Sequence, residues 1–356
     1  MSSVEIMKLI QGNVLSLKPY HVESTDCEIK LHANENPFPP SKELLELFSS
    51  SLQKLQLNRY PDPDSRALKD SIADRLGIET KHLVIGNGSD EIILFLLQVF
   101  CQKGDTITFP DPTFSMYSII AQGLGIKSVS ISLDNHWDFS ADVILQSAEE
   151  NNSKIIFLSY PNNPTGNCFS DTQVQKVIDN FQGIVVIDEA YHDFSRKSFV
   201  NQIKEHNNLI VLRSLSKIGL AALRVGFGVA DPLVISEINK VRLPYNSNTI
   251  SQAFAENLIT NFEAVQTQIN SILDERHRLL DELHKIESVT AFPSDSNFIL
   301  FKTKQPAGSI FAFLSKNGIL VRNLSSHPKL SNCLRVTVGT KSENDRFLSK
   351  LKDFKN

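Results

Sequence analysis

The chain predicts an α/β fold, with a large domain whose mostly parallel sheet is sandwiched by helices and a smaller α+β domain beside it. Three observations predict it. Short apolar runs alternate with longer amphipathic stretches between about Ser65 and Ala230. Two of those runs, IIFL at 155–158 and IVVI at 184–187, are apolar at every position, the pattern of strands covered on both faces of a parallel sheet. After Pro244 the rhythm changes: about forty residues pass without a strand pattern before FILF, ILVR and LRVTV follow.

Taken in order, residues 1–40 have little periodicity and predict an arm that packs on the smaller domain, in part belonging to it, or on a neighbouring subunit. Residues 41–246 make the large domain. Its helix starts at Asp90 and continues through the apolar stretch 92–100; strands are expected at 106–109, 128–132, 155–159, 184–187, 209–212 and 226–229, with helices such as 171–181 between them. Residues 247–356 make the smaller domain, with one long helix over about 249–286, a helix near 307–316 between strands, and a closing helix near 342–354.

Length suits two domains, and burying a core is no difficulty for 356 residues. With 36 Lys+Arg against 40 Asp+Glu the formal charge is −4, and no block of like charge suggests a nucleic-acid or acidic-lipid surface. The expected partner is a small molecule. Four cysteines, Cys27, Cys101, Cys168 and Cys333, lie far apart without a C-x-x-C pair, which indicates neither a disulfide framework nor a zinc site and fits a reducing cytoplasm. The opening MSSVEIMKLI lacks the long apolar core of a signal peptide, and the stretch 92–100 is about half the ~20 residues that cross a bilayer.

Four segments carry chemistry, each at a strand end or helix start where open α/β sheets bind ligands. The strand at 184–187 runs into Asp188-Glu189-Ala190-Tyr191, which sets Asp188 at the cleft; the plain alternative is an acid capping the next turn. Ser214-Leu215-Ser216-Lys217 also follows an apolar strand, with Arg224 seven residues beyond the lysine. A lysine there is costly unless paired or chemically used, because desolvation disfavours its charge, and the same effect makes its amine nucleophilic enough for a Schiff base. Isolated, such a string is more often a surface loop; the flanking hydroxyls and Arg224 add up to a phosphate cup. Gly86-Asn87-Gly88-Ser89-Asp90-Glu91 opens the apolar helix and offers backbone N–H groups to an anion, against the alternative of an ordinary N-cap. Tyr160 to Gly166 is a Pro/Asn/Gly turn that leaves Asn163 on the same sheet edge.

In this order PNNPTG, DEAY, SLSK and LRVG resemble the fold-type I aminotransferases, which bind pyridoxal 5′-phosphate (PLP), over essentially the whole chain. LHANENPFPP at 31–40, RYPDP at 59–63, GNGSDE, DPTFSMY at 111–117, LPYN at 243–246, SNFILF and LRVTVG narrow the resemblance to the histidinol-phosphate aminotransferase family. The resemblance implies transamination between glutamate/2-oxoglutarate and histidinol phosphate/imidazole-acetol phosphate in histidine biosynthesis. Close alternatives of the same fold are an aromatic amino-acid aminotransferase and a threonine-phosphate decarboxylase. It further implies Lys217 as the lysine that holds PLP, Asp188 as partner of the pyridine nitrogen, and Tyr191 with Asn163 as donors to the ring oxygen. Ser214, Ser216, Arg224 and Gly88-Ser89-Asp90 correspond to the phosphate cup, and Phe114 to the aromatic that stacks on the ring. Tyr60 corresponds to a tyrosine that reaches the phosphate across a homodimer interface. Arg335 corresponds to the substrate carboxylate anchor, with Arg322, Tyr20, Asn34 and Asn163 as further substrate contacts. One departure is visible: the Lys217 to Arg224 spacing is one residue shorter than the commoner pattern, and Ala222 stands where glycine is usual. Two readings of other classes compete: a ligand-binding regulator on this fold, which needs an added DNA-binding domain, and a nicotinamide dehydrogenase, which needs the full G-x-G-x-x-G that the GNG turn lacks.

Overall fold

The computed structural model describes residues 3–19 and 26–354. In chain order its strands are β1 (Ile29–Leu31), β2 (Leu83–Asn87), β3 (Thr106–Asp111), β4 (Lys127–Ser132), β5 (Ser153–Ser159), β6 (Ile184–Asp188), β7 (Leu209–Ser214), β8 (Val225–Val229), β9 (Val289–Ala291), β10 (Phe298–Thr303), β11 (Ile319–Asn323) and β12 (Cys333–Thr337). The larger sheet has the order β2-β8-β7-β6-β5-β3-β4. It is parallel except for β8, which runs antiparallel to both β2 and β7. This is the mostly parallel sheet that the apolar runs predict.

Alternation along each strand explains why the runs are continuous. Ile156, Leu158, Val185, Ile187, Leu209 and Val211 belong to one hydrophobic core. Their neighbours Ile155, Phe157, Val186, Ile210 and Leu212 belong to a second core on the opposite face. Successive side chains point to opposite faces of a strand, so a sheet covered twice needs apolar residues at every position. One cover includes the helices Ser89–Phe100, Met116–Gly123 and Pro232–Val241, which bring Ile92, Tyr117 and Ile238 into the second core; the other includes Ala141–Glu150 and Asp171–Asn180, which bring Ile144 and Val177 into the first.

The smaller sheet has the order β1-β11-β12-β10-β9, with β1 parallel to β11 and the remaining pairs antiparallel. The N-terminal arm thus adds a strand to it. Further upstream, Asn13 Nδ2 donates to the carbonyl of Gly123 at 2.8 Å, so the arm also touches a helix of the larger sheet.

Two expectations change. Strand β2, an antiparallel neighbour of β8, is absent from the sequence-based reading because LVIGN is short and runs straight into the Gly turn. The single helix expected over 249–286 is two, Thr249–Thr260 and Phe262–His284. At the break the Asn261 side chain donates to the Asn257 carbonyl at 2.8 Å and to Thr260 Oγ1 at 3.1 Å, offering the backbone a local alternative to the helix ladder. Among the described residues no helix is long and apolar enough to cross a membrane.

The carboxyl ends of β5, β6 and β7 lie level, with Ser159 paired to Asp188 and Asp188 to Leu212. That edge faces β11 and β12 of the smaller sheet across a cavity.

Candidate active site

The cavity measures about 540 Å³ and is lined from both sheets: Asp188, Lys217 and Ser214 on one side, His32, Arg322 and Arg335 on the other. Of the residues expected from the sequence, Asn34, Ser89, Asp90, Phe114, Asn163, Asp188, Tyr191, Ser214, Ser216, Lys217, Arg224, Arg322 and Arg335 all line it. Segments as far apart as His32 and Arg335 converge there.

Asp188 is the last residue of β6 and only 3 % exposed. Its Oδ2 accepts from Tyr117 Oη at 2.8 Å, and its Oδ1 accepts from the Ala190 backbone N–H at 3.1 Å. Burial pushes its carboxyl up to about 6, although both hydrogen bonds favour the charged form. A buried carboxylate so held suits a cationic partner in the cavity, which is the character of a protonated pyridine nitrogen. Tyr117 was not singled out in the sequence. It is fully buried and stacks on Phe157 with ring centroids 4.7 Å apart, while Phe114 meets it edge-on at 5.5 Å. Its position one helical turn beyond Phe114 was the available signal.

Lys217 follows β7 in the 3-10 turn Leu215–Ile218. Its Nζ lies 3.5 Å from the Ala33 carbonyl and 5.7 Å from the Tyr191 ring centroid. A second 3-10 turn, Ala221–Leu223, ends on Arg224 in the left-handed region at φ 53°. That tight closure accommodates the short lysine-to-arginine spacing. Arg224 Nη1 donates to Ser216 Oγ at 3.2 Å and Nη2 pairs with Asp90 Oδ2 at 3.3 Å. The Asp90 carboxylate serves the arginine, so an anion would meet only its backbone amide. Gly88 stands at the N-cap of the helix Ser89–Phe100 with φ 83°, where a Cβ would lie 2.6 Å from Arg224 Nη2. At Gly226 a Cβ would lie 2.4 Å from the Ser89 amide nitrogen. Both glycines let the helix N-terminus, Ser216 and Arg224 close on one small space. These donors fit a phosphate.

On the far wall Arg322 and Arg335 are directly paired across β11 and β12, two like charges on one face. Their planar guanidinium forks suit a carboxylate or a phosphate. Arg335 donates through Nη1 to Asn163 Oδ1 and through Nη2 to the His32 carbonyl at 2.7 Å, and its guanidinium sits 5.1 Å from the Phe298 ring centroid. Asn163 Oδ1 is thus taken up by the arginine. Asn34 Nδ2 donates to Tyr191 Oη at 2.8 Å. His32 also lines the cavity; burial holds its imidazole below the usual histidine range, and Arg322 and Arg335 push the same way. Nothing in LHANENP marked it beyond being a histidine. His327 likewise lines the mouth and meets Asp111 through Nε2 at 3.0 Å.

Tyr60 is not at the cavity of its own chain. It is 80 % exposed and stacks on Tyr245 at 4.5 Å. Tyr20 lies outside the described residues. Among the described residues no group of His, Cys, Asp or Glu could hold a metal ion.

The model of the aminotransferases of class I and II matches residues 27–351. A histidinol-phosphate aminotransferase of Aquifex aeolicus (strain VF5) is 39 % identical over 346 residues, 97 % of this chain and 98 % of that protein. Among solved structures, the histidinol-phosphate aminotransferase of Sinorhizobium meliloti in complex with pyridoxal-5′-phosphate superposes with a TM-score of 0.88 at 20 % identity, covering 97 % of this chain and 96 % of that one. The L-threonine-O-3-phosphate decarboxylase of Porphyromonas gingivalis superposes with a TM-score of 0.80 at 20 % identity, covering 92 % and 99 %. The shared fold therefore does not by itself separate amino transfer from decarboxylation.

Proposed function

The chain belongs to the class I and II aminotransferases, and from that premise we propose that it moves an amino group between glutamate and imidazole-acetol phosphate, giving 2-oxoglutarate and histidinol phosphate. The observation that carries this reading is the cross-strand pair Arg322 and Arg335 facing the same cavity as Lys217 and Asp188. One cavity then holds a nucleophilic amine, a buried acid and two planar cations able to take a carboxylate or a phosphate.

The cofactor is pyridoxal 5′-phosphate, which when bound supplies the electron sink that stabilises the substrate carbanion. Ser89, Ser216, Arg224 and the helix N-terminus would bind its phosphate, with Ser214 beside them, and Phe114 would cover its ring. Asp188 would keep the ring nitrogen protonated by placing a negative charge against it. Tyr191 would donate to the ring oxygen. Lys217 would hold the group and, once displaced by substrate, take the proton from the substrate α-carbon with its Nζ. Arg335 would anchor the carboxylate of glutamate, and Arg322 would join it for the phosphate of the second substrate.

We further assign residues 41–246 to the cofactor-binding domain and 1–40 with 247–356 to the smaller one, because β1 pairs with β11. A homodimer is supported by Tyr60 and Tyr245, a stacked pair that is 80 % and 42 % exposed and does not line its own chain's cavity. The Leu243 side chain beside them is 70 % exposed. The unpaired thiols of Cys27, Cys101, Cys168 and Cys333 suit work in the cytoplasm.

The test is a set of steady-state assays with histidinol phosphate, phenylalanine and threonine phosphate as alternative substrates. Histidinol phosphate with 2-oxoglutarate should give kcat/KM at least about tenfold above the others. Faster release of carbon dioxide from threonine phosphate, or equal rates with phenylalanine, would replace the reading.

A further inference from the structure

We propose that Thr337, Asn34 and Tyr191 form a directed hydrogen-bond relay that fixes the Tyr191 hydroxyl as a donor into the cavity, making Asn34 a positioning residue for the cofactor. The inference rests on the reading of Tyr191 as the donor to the ring oxygen.

Direction follows from counting donors. Asn34 is 1 % exposed and sits in the left-handed region at φ 56°, a conformation asparagine tolerates better than most residues. Its backbone is held on both sides: its N–H donates to Thr337 Oγ1 at 3.0 Å, and its carbonyl accepts from Asn297 Nδ2 at 3.0 Å. Thr337 Oγ1, already accepting, directs its own proton to Asn34 Oδ1 at 3.3 Å. The amide oxygen is therefore committed to Thr337, and the amide nitrogen faces Tyr191. That nitrogen can only donate, so the tyrosine oxygen accepts at 2.8 Å and keeps its own proton for another partner. Among the described residues none accepts that proton. The ring itself is oriented by Phe298, whose edge meets it at 5.1 Å and 79°.

The relay also joins the two sheets. Asn34 follows β1, Thr337 ends β12 and Phe298 begins β10, all in the smaller sheet, whereas Tyr191 follows β6 of the larger one. A tyrosine held at the large-sheet edge thus takes its hydrogen-bonding sense from the small sheet.

The consequence is electrostatic. A donor aimed at the ring oxygen favours its anionic form, which lowers the pH at which the bound cofactor's visible absorption changes. Weakening the donor should raise that midpoint. The experiment is a pH titration of the visible spectrum of the PLP-loaded protein. Tyr191→Phe should raise the midpoint by about one pH unit, the scale of a lost hydrogen bond to a charged form. Asn34→Ala should move it the same way by less, and Thr337→Val, which leaves the amide in place but undirected, by less again. Asn34→Asp should shift it at least as far as Tyr191→Phe, since a carboxylate can only accept and so takes the tyrosine proton for itself. In the Asn34→Ala/Tyr191→Phe double variant no shift beyond that of Tyr191→Phe alone is expected. A wild-type midpoint in Asn34→Ala, or an unreduced Asn34 effect without the tyrosine hydroxyl, overturns the relay. A wild-type midpoint in Tyr191→Phe overturns the placement of Tyr191 itself, and separates that failure from failure of the relay.

Discussion

The two walls of the cavity are built on different terms. On the large-sheet wall, Asp188 ends β6, Ser214 ends β7 and Lys217 follows three residues later, so position along the chain fixes position in the site. On the small-sheet wall, His32, Asn34, Arg322 and Arg335 come from three separate stretches and meet only because β1, β11 and β12 are neighbours. The groups proposed to make bonds thus lie at or just past strand ends, whereas those proposed for recognition are brought together by register. Lys217→Ala should break the first wall alone: on the role proposed for its amine, turnover should fall by at least about 10⁴-fold, with an unchanged melting profile of the cofactor-free protein. Borohydride reduction of the loaded wild type followed by peptide mapping should place the label on Lys217. A label on another lysine would remove it from the site.

The large-sheet wall carries the cost of a buried carboxyl. Asp188 is buried, and its carboxyl rises from 3.8 to about 6. Between those values the folded state binds more protons than the unfolded one, so stability falls as pH rises through that window and stays lower above it. About two pH units correspond to about 3 kcal/mol. Asp188→Asn, with the cofactor removed, should therefore melt above the wild type at pH 8, and the gap should close as pH falls from about 6 towards 4. Turnover of the loaded variant should drop steeply. Equal melting at pH 8 would mean that the charge is already compensated within the protein.

This asymmetry also explains what could be read from the sequence. Continuous apolar runs gave the parallel sheet, and motifs at the ends of those runs pointed to Asp188, Lys217 and the Ser214–Arg224 cup, because each is local. Tyr117 escaped because a buried tyrosine in an apolar helix reads as core until its hydroxyl is seen on Asp188. Asn34 was expected to face substrate, and its bond to Tyr191 depends on the β1–β11–β12 arrangement that no local pattern encodes. Arg322 and Arg335 were found by resemblance; their direct opposition is a matter of antiparallel register.

The smallest expected effect sharpens the comparison within the small-sheet wall. Arg335 is anchored by the His32 carbonyl and Asn163, which fixes its fork for a carboxylate, so it should matter to both substrates. Arg322 stands directly opposite and adds a second positive charge on the same face. A phosphate near neutral pH carries up to about two negative charges and accepts more charge-assisted hydrogen bonds than a carboxylate. Arg322→Ala should thus damage the histidinol phosphate half-reaction more than the glutamate one. Losing a hydrogen bond to a charged group costs about 1.5–3 kcal/mol, or roughly a ten- to hundredfold fall in kcat/KM. Single-turnover spectroscopy of the two half-reactions, taken separately, gives the ratio directly. A loss confined to histidinol phosphate would make register, through the β11–β12 pairing, the source of substrate choice. Equal losses would leave both arginines serving any anion, and discrimination would rest on other residues that line the cavity.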